Sequence, residues 1–138
     1  KLHNGFFELA KGNKVCLVST GYMTHTAMRV VRNLADEGIN VGLIDVFLLK
    51  PFNEKMFIKS VSRYKNIITL EEAFINRGGL DSLVSVILEN KGLKIRLKRM
   101  GFKDAYVFDM GGREHLHKVN KLDKKSIIKS IKGILKKS

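Results

Sequence analysis

The sequence has one cysteine, one proline and no tryptophan, and it carries 13 acidic against 26 basic residues. With Cys16 alone, no internal disulfide can form. Its place in an apolar, strand-like run suits a small buried hydrophobe, and no Cys-x-x-Cys pattern or histidine partner supports a nucleophile. This usage fits a reducing compartment, so the expected location is the cytoplasm. Apolar runs end after a few residues, as at Val46–Leu49, too short to cross a bilayer. Lys1–Glu8 also lacks the unbroken apolar stretch of a secretory leader. Neither GxGxxG nor GxxxxGK[ST] occurs, which removes the two commonest glycine-rich phosphate loops. His3, His25, His115 and His117 have no cysteine or third ligand at a metal-binding spacing.

What is present is enough for one globular domain. A chain of 138 residues with 44% hydrophobic content can bury a single core but is too short for two lobes around a large cleft. The net charge of +13 raises the question of nucleic acid or an anionic membrane. The basic residues cluster. Six lie between Lys91 and Lys103 with no acid, and eight lysines between Lys118 and Ser138 face only Asp123. Nucleic-acid recognition normally adds exposed aromatics or a reading helix, and here the aromatics occupy positions patterned for a core. The lysines of the last segment therefore read first as a solvated helix face. A stand-alone basic nucleic-acid-binding or assembly module is the alternative from a different class.

Along the chain, strand-like and helix-like patterns alternate. Residues 1–14 read as an approach strand or interdomain linker, and 15–138 as the domain itself. Val15–Ser19 is a strand, followed by a helix capped by Thr24 or a neighbour, with Ala27, Val30, Val31 and Leu34 on one face. Gly38 suits a left-handed cap before a second strand over Ile39–Val46. Asn53 is a credible cap for a helix whose Phe57, Val61 and Tyr64 share a face. Ile67–Leu70 is a third strand, and Leu80, Leu83, Val84, Ile87 and Leu88 outline another helix. Leu93–Leu97 alternates apolar and basic residues, as a strand near a sheet edge would. Ala105–Phe108 reads as a last strand, Arg113–Val119 as a short helix, and Asp123 as the cap of a final helix. Repeated strand-then-helix units with short connections imply an α/β fold.

Few residues offer chemistry. Glu71 and Glu72 fall at the C-terminal end of a strand, where α/β sites gather. Neighbouring strand residues point to opposite faces, so the two carboxylates are not expected to converge as an acid–base pair. Helix capping and salt bridges explain them first, and support of a site on another domain second. Gly78 and Gly79 permit a tight turn or close packing, and could expose backbone donors. Arg77 and Arg113 are candidate anion contacts, as is Ser19-Thr20-Gly21 between strand and helix.

In their order and spacing, several segments resemble the C-terminal domain of the transketolase-like thiamine-diphosphate enzymes. They are Val15–Met23, Leu34–Val41, Ile44–Val46, Lys50–Asn53, Ile67–Glu72, Gly78–Ser82 and Met100–Asp104, within a match running from about Val15 to Ile134. The family includes transketolase, 1-deoxy-D-xylulose-5-phosphate synthase and the beta subunits of 2-oxo-acid dehydrogenases. The Gly101–Asp104 segment and the Gly112-Arg113-Glu114-x-Leu116 run resemble the tails of the first two more than the third.

The resemblance implies a three-layer αβα sandwich on a mostly parallel five-stranded sheet with one antiparallel strand. It implies a C-terminal scaffold and dimerisation domain, inactive alone, of an enzyme that moves a two-carbon ketol unit between sugar phosphates. Thiamine diphosphate and Mg2+ would sit on upstream or companion domains, with this domain binding neither by itself. Transketolase, in a split or shortened form, is the preferred subgroup. The others are 1-deoxy-D-xylulose-5-phosphate synthase or a 2-oxo-acid dehydrogenase beta subunit. Glu71 and Glu72 match the family's acidic pair, although Ala73 stands where a histidine often follows it. The residues expected to support an interface or site are Glu71, Glu72, Arg77, Gly78 and Gly79. No specific nucleic acid or membrane partner is implied.

Overall fold

Alternation along the strands sorts the core into two halves. In the computed structural model, which describes residues 2–103 and 110–137, Val15–Ser19 (β2) is buried throughout. Val15 and Leu17 point into one cluster, while Cys16 and Val18 point into the other. A strand buried on both faces belongs in the middle of a sheet, and β2 pairs in parallel with Gly42–Val46 (β3) and Asn66–Phe74 (β4). Phe6–Ala10 (β1) runs antiparallel to β3, and Arg96–Phe102 (β5) is parallel to β4 at the other edge. The order is β1-β3-β2-β4-β5, a five-stranded sheet with one antiparallel strand.

The helices cover both faces. On one side lie α1 (Tyr22–Asp36) and α5 (Lys124–Lys136), which bury Ala27, Val30, Leu34, Ile127 and Ile131 over Leu17, Leu43 and Ile68. On the other lie α2 (Glu54–Val61) and α3 (Leu80–Asn90), which bury Phe57, Val61, Val84 and Ile87 over Val18, Ile44 and Ile67. Each fully buried aliphatic or aromatic side chain contributes about 1.5–3 kcal/mol relative to exposure, against the entropy cost of ordering the helix that carries it. The short α4 (Arg113–Val119) precedes α5. This is the three-layer αβα sandwich expected from the sequence.

Local signals behave as their chemistry dictates. Asn53 accepts the Met56 N–H at 3.1 Å to cap α2, and Asp123 accepts from Ser126 N at the start of α5. Of the two readings of residues 1–14, the strand is the one seen at Phe6–Ala10, which is the antiparallel edge strand of the sheet. Phe6 is buried against the rings of Phe52 and Phe57. Other boundaries differ from expectation. Thr24 is not a cap. Gly21 holds that position without a side-chain bond, and the Thr24 hydroxyl donates to Asp45 Oδ1 at 2.6 Å. The second strand begins at Gly42 and not Ile39, and the edge strand at Arg96 and not Leu93. The strand expected at Ala105–Phe108 lies outside the described residues.

Candidate functional site

The C-terminal ends of β2, β3 and β4 lie along one edge of the sheet, where α1 and α3 begin. At that edge Ser19 donates to the Thr24 hydroxyl (2.8 Å), which in turn donates to Asp45. The Thr20 N–H is taken by the Leu70 carbonyl at 3.2 Å. The Ser19 hydroxyl and the Thr20 amide are therefore engaged within the fold, and the segment forms the turn from β2 into α1.

Glu71 and Glu72 lie inside β4, and they part as strand alternation requires. Glu71 is buried on the α3 side, where its two carboxylate oxygens accept the Leu80 N–H (2.9 Å) and the Asp81 N–H (3.1 Å). These are orphan donors of the first helical turn, and a carboxylate there also faces the positive end of the helix dipole. Gly79 makes this approach possible, because a Cβ on it would collide with Glu71 Oε2. Gly78 has a different reason to be glycine. Its φ is +83°, nothing crowds it, and its N–H donates to Ser82 Oγ at 3.0 Å. Arg77 is exposed, with Nη1 donating to the Asn76 carbonyl at 3.3 Å.

Next to Glu71 is a second buried carboxylate that the sequence did not single out. Asp81 accepts the Asn76 N–H at 2.7 Å and the Ser82 N–H at 2.8 Å, and Arg99 Nε lies 3.2 Å away. Burial raises the Glu71 carboxyl above its ordinary value. The Asp81 and Leu80 N–H groups oppose that shift, and the Asp81 side chain adds to it. A carboxyl whose folded pKa exceeds its unfolded one binds more protons when folded between those two values. Stability should then rise as pH falls through that window and level off below the ordinary value of 4.5. Glu71→Gln cannot titrate and should lack the gain. Urea unfolding of both proteins across the acidic range tests this, and parallel stability curves would refute it.

Glu72 points to the α1 side. Its Oε2 accepts from Arg113 Nε at 2.9 Å and meets His117 Nε2 at 2.8 Å. The Arg113 guanidinium lies 4.3 Å from the centre of the Tyr22 ring, and the rings of Tyr22 and His117 are 5.6 Å apart. The result is a four-residue cluster joining β4, α1 and α4. Sequence reasoning had set His117 aside. The available signal was that Arg113 and His117 are four residues apart, on one helix face, and can grip a single carboxylate. His115 is exposed and takes no part in the cluster, whereas His117 is buried. Cys16 is fully buried, which pushes its thiol pKa up and away from nucleophilic use.

Both acidic side chains thus have their partners within the fold. Glu71 and Glu72 do not converge on one another, and the described residues include no group of three histidine, cysteine or acidic side chains able to hold a metal ion. The model of the transketolase C-terminal domain matches residues 8–130, nearly the whole described sheet and its helices. The chain belongs to the transketolase C-terminal domain family. A 1-deoxy-D-xylulose-5-phosphate synthase of Chlamydia felis is 32% identical over 123 residues, covering 89% of this chain and 19% of that protein. An apulose-4-phosphate transketolase subunit of Actinobacillus succinogenes is 30% identical over 136 residues, covering 93% of this chain and 43% of that protein. A solved split-gene transketolase, an inactive beta4 tetramer, superposes with a TM-score of 0.81 at 26% identity, over 93% of this chain and 41% of that one. The chain therefore spans about a fifth of the synthase relative and under half of the apulose-4-phosphate transketolase subunit and of the split-gene transketolase chain.

Proposed function

We propose that this chain is the C-terminal scaffold and dimerisation domain of a thiamine-diphosphate-dependent transketolase in which catalytic and scaffold domains are divided between polypeptides. The observation that carries the reading is the use of the acidic pair. Glu71 ties β4 to α3 and Glu72 ties it to α4, whose Arg113 and His117 in turn pack on Tyr22 of α1, so both carboxylates brace the edge on which α/β proteins build sites. The match to one subunit of an apulose-4-phosphate transketolase and to a split-gene transketolase chain favours a divided enzyme. The cofactor does not fit the residues described in this chain, since Glu71 is occupied as a cap and no three metal ligands converge. In this reading thiamine diphosphate and Mg2+ belong to the companion polypeptide. Glu71, Glu72, Arg77, Gly78 and Gly79 support an interface or a site whose reacting groups lie elsewhere. The setting is cytoplasmic, and the reaction is transfer of a two-carbon ketol unit from a ketose phosphate to an aldose phosphate.

A second reading has its own support in the 1-deoxy-D-xylulose-5-phosphate synthase relatives, at 29–32% identity for the first two of them. One reconstitution separates the two. The chain is purified alone and with a candidate thiamine-binding companion polypeptide from the same genome, then assayed with cofactor and Mg2+. Ketol transfer between sugar phosphates by the mixture, and none by either part, is the expected outcome. Formation of 1-deoxy-D-xylulose 5-phosphate would assign the second reading. Turnover by this chain alone would overturn both.

A further inference from the structure

On the α5 face of the sheet, β5, α5 and the turn after α4 enclose an open groove of ≈ 580 Å³. Five lysines line it: Lys98, Lys103, Lys121, Lys129 and Lys137. No acidic residue is among the described lining. A few cations elsewhere find carboxylates, as Arg63 does with Glu8, Arg113 with Glu72, and Lys132, on α5 itself, with Glu37, and Arg99 at the groove's β5 wall is held by Asp81. The groove lysines make no ion pair among the described residues. Only Lys98 is engaged, donating to Ser130 Oγ at 3.2 Å and so linking β5 to α5 across the groove. Gly133 leaves the α5 wall open, with nothing within 4 Å of where its Cβ would stand. Met100 and Ile134 add an apolar part to the lining.

Like charges left facing one another repel, and an anion placed between them removes that cost. Ammonium groups bind phosphate as point charges without demanding one orientation, which suits a ring of lysines. The volume falls in the ordinary range for small-molecule sites, roughly 300–1,000 Å³. Single-stranded nucleic acid would need aromatic platforms for its bases, and there is none among the described lining residues. We propose that this groove binds a small polyanion carrying two or more phosphate groups, with its uncharged portion against Met100 and Ile134. None of the groove residues named belongs to the Glu72 cluster, so the site is independent of the proposed scaffold role.

Titration of the whole chain with inorganic tripolyphosphate, followed by calorimetry, tests the proposal. Saturable one-to-one binding is expected, with orthophosphate about tenfold weaker or more because it neutralises fewer lysines. Lys121→Glu with Lys129→Glu should weaken tripolyphosphate by about tenfold or more, and raising salt from about 50 to about 200 mM should erode the wild-type affinity steeply. Lys55→Glu with Lys59→Glu, the same change in net charge on the exposed side of α2, should leave binding within about twofold. Circular dichroism checks that each variant is folded, and Lys121→Gln with Lys129→Gln replaces the first pair if it is not. Absence of saturable binding, or equal losses in both double variants, overturns the groove as a site. Tighter binding of single-stranded RNA that grows with its length would overturn the small-ligand assignment in favour of a nucleic-acid surface.

Discussion

Gly79→Ala should destabilise the fold by about 2–4 kcal/mol, although its backbone is one that alanine adopts freely. The φ of Gly79 is −86°, so nothing in the peptide itself demands glycine. The cost arises from Glu71, whose Oε2 fills the space the new methyl would enter. That carboxylate cannot swing aside cheaply. It is buried, and both oxygens hold backbone N–H groups of α3. Moving it leaves those donors, or the carboxylate, without partners in a dry environment. Gly78→Ala is the control, since it meets open space and suffers only its left-handed φ, worth about 1 kcal/mol. Removing the carboxylate as well should expose the coupling. Glu71→Ala with Gly79→Ala should cost clearly less than the sum of the single changes, because the methyl then enters vacated space. Urea midpoints of the four proteins measure this, and strict additivity would show that the contact does not limit the site.

Arg99→Met should be comparably severe, at about 2–4 kcal/mol. The Asp81 side chain is completely buried, and Arg99 is its cationic neighbour, 3.2 Å away from β5. Methionine keeps much of the aliphatic stem but strands a carboxylate that already sits beside Glu71. The adjacent Lys98→Met, on an exposed side chain bonded only to Ser130, should change stability by no more than about 0.5 kcal/mol. Adding Asp81→Asn to Arg99→Met should recover part of the loss by removing the stranded charge. Thermal or urea unfolding resolves these differences. Equal effects of Arg99→Met and Lys98→Met would mean that Asp81 does not depend on its neighbour.

The parts of this fold that follow local rules could be read directly from the chain. Ala27, Val30 and Leu34 recur with the helical period and are buried. Asn53 and Asp123 have short acceptors just before apolar faces and cap α2 and α5. The separation of Glu71 and Glu72 follows from the pleat alone. What could not be read depends on pairs distant in sequence. The Glu72–His117 contact spans 45 residues, and Asp81 with Arg99 joins a helix to an edge strand. Thr24 resembles a cap by composition, but tertiary structure gives it Asp45 as a stronger partner. The opening segment was legible as a strand or linker, but its antiparallel pairing at the sheet edge was not, because that partner, β3, lies more than 30 residues away.

That first strand also fixes where the chain enters the sheet. Phe6 pairs with Val46 and Ala10 with Leu43, so β1 starts at the end of the sheet where the parallel strands finish. Just ahead of it, Asn4 is bonded to Asn53 through both backbone and side chain. The chain therefore enters β1 from the same end of the sheet as Glu72, Arg113 and His117. A parallel β1 would have brought it in from the opposite side. One reversed strand therefore gives the domain a front, with the start of β1 and the acidic brace both on it.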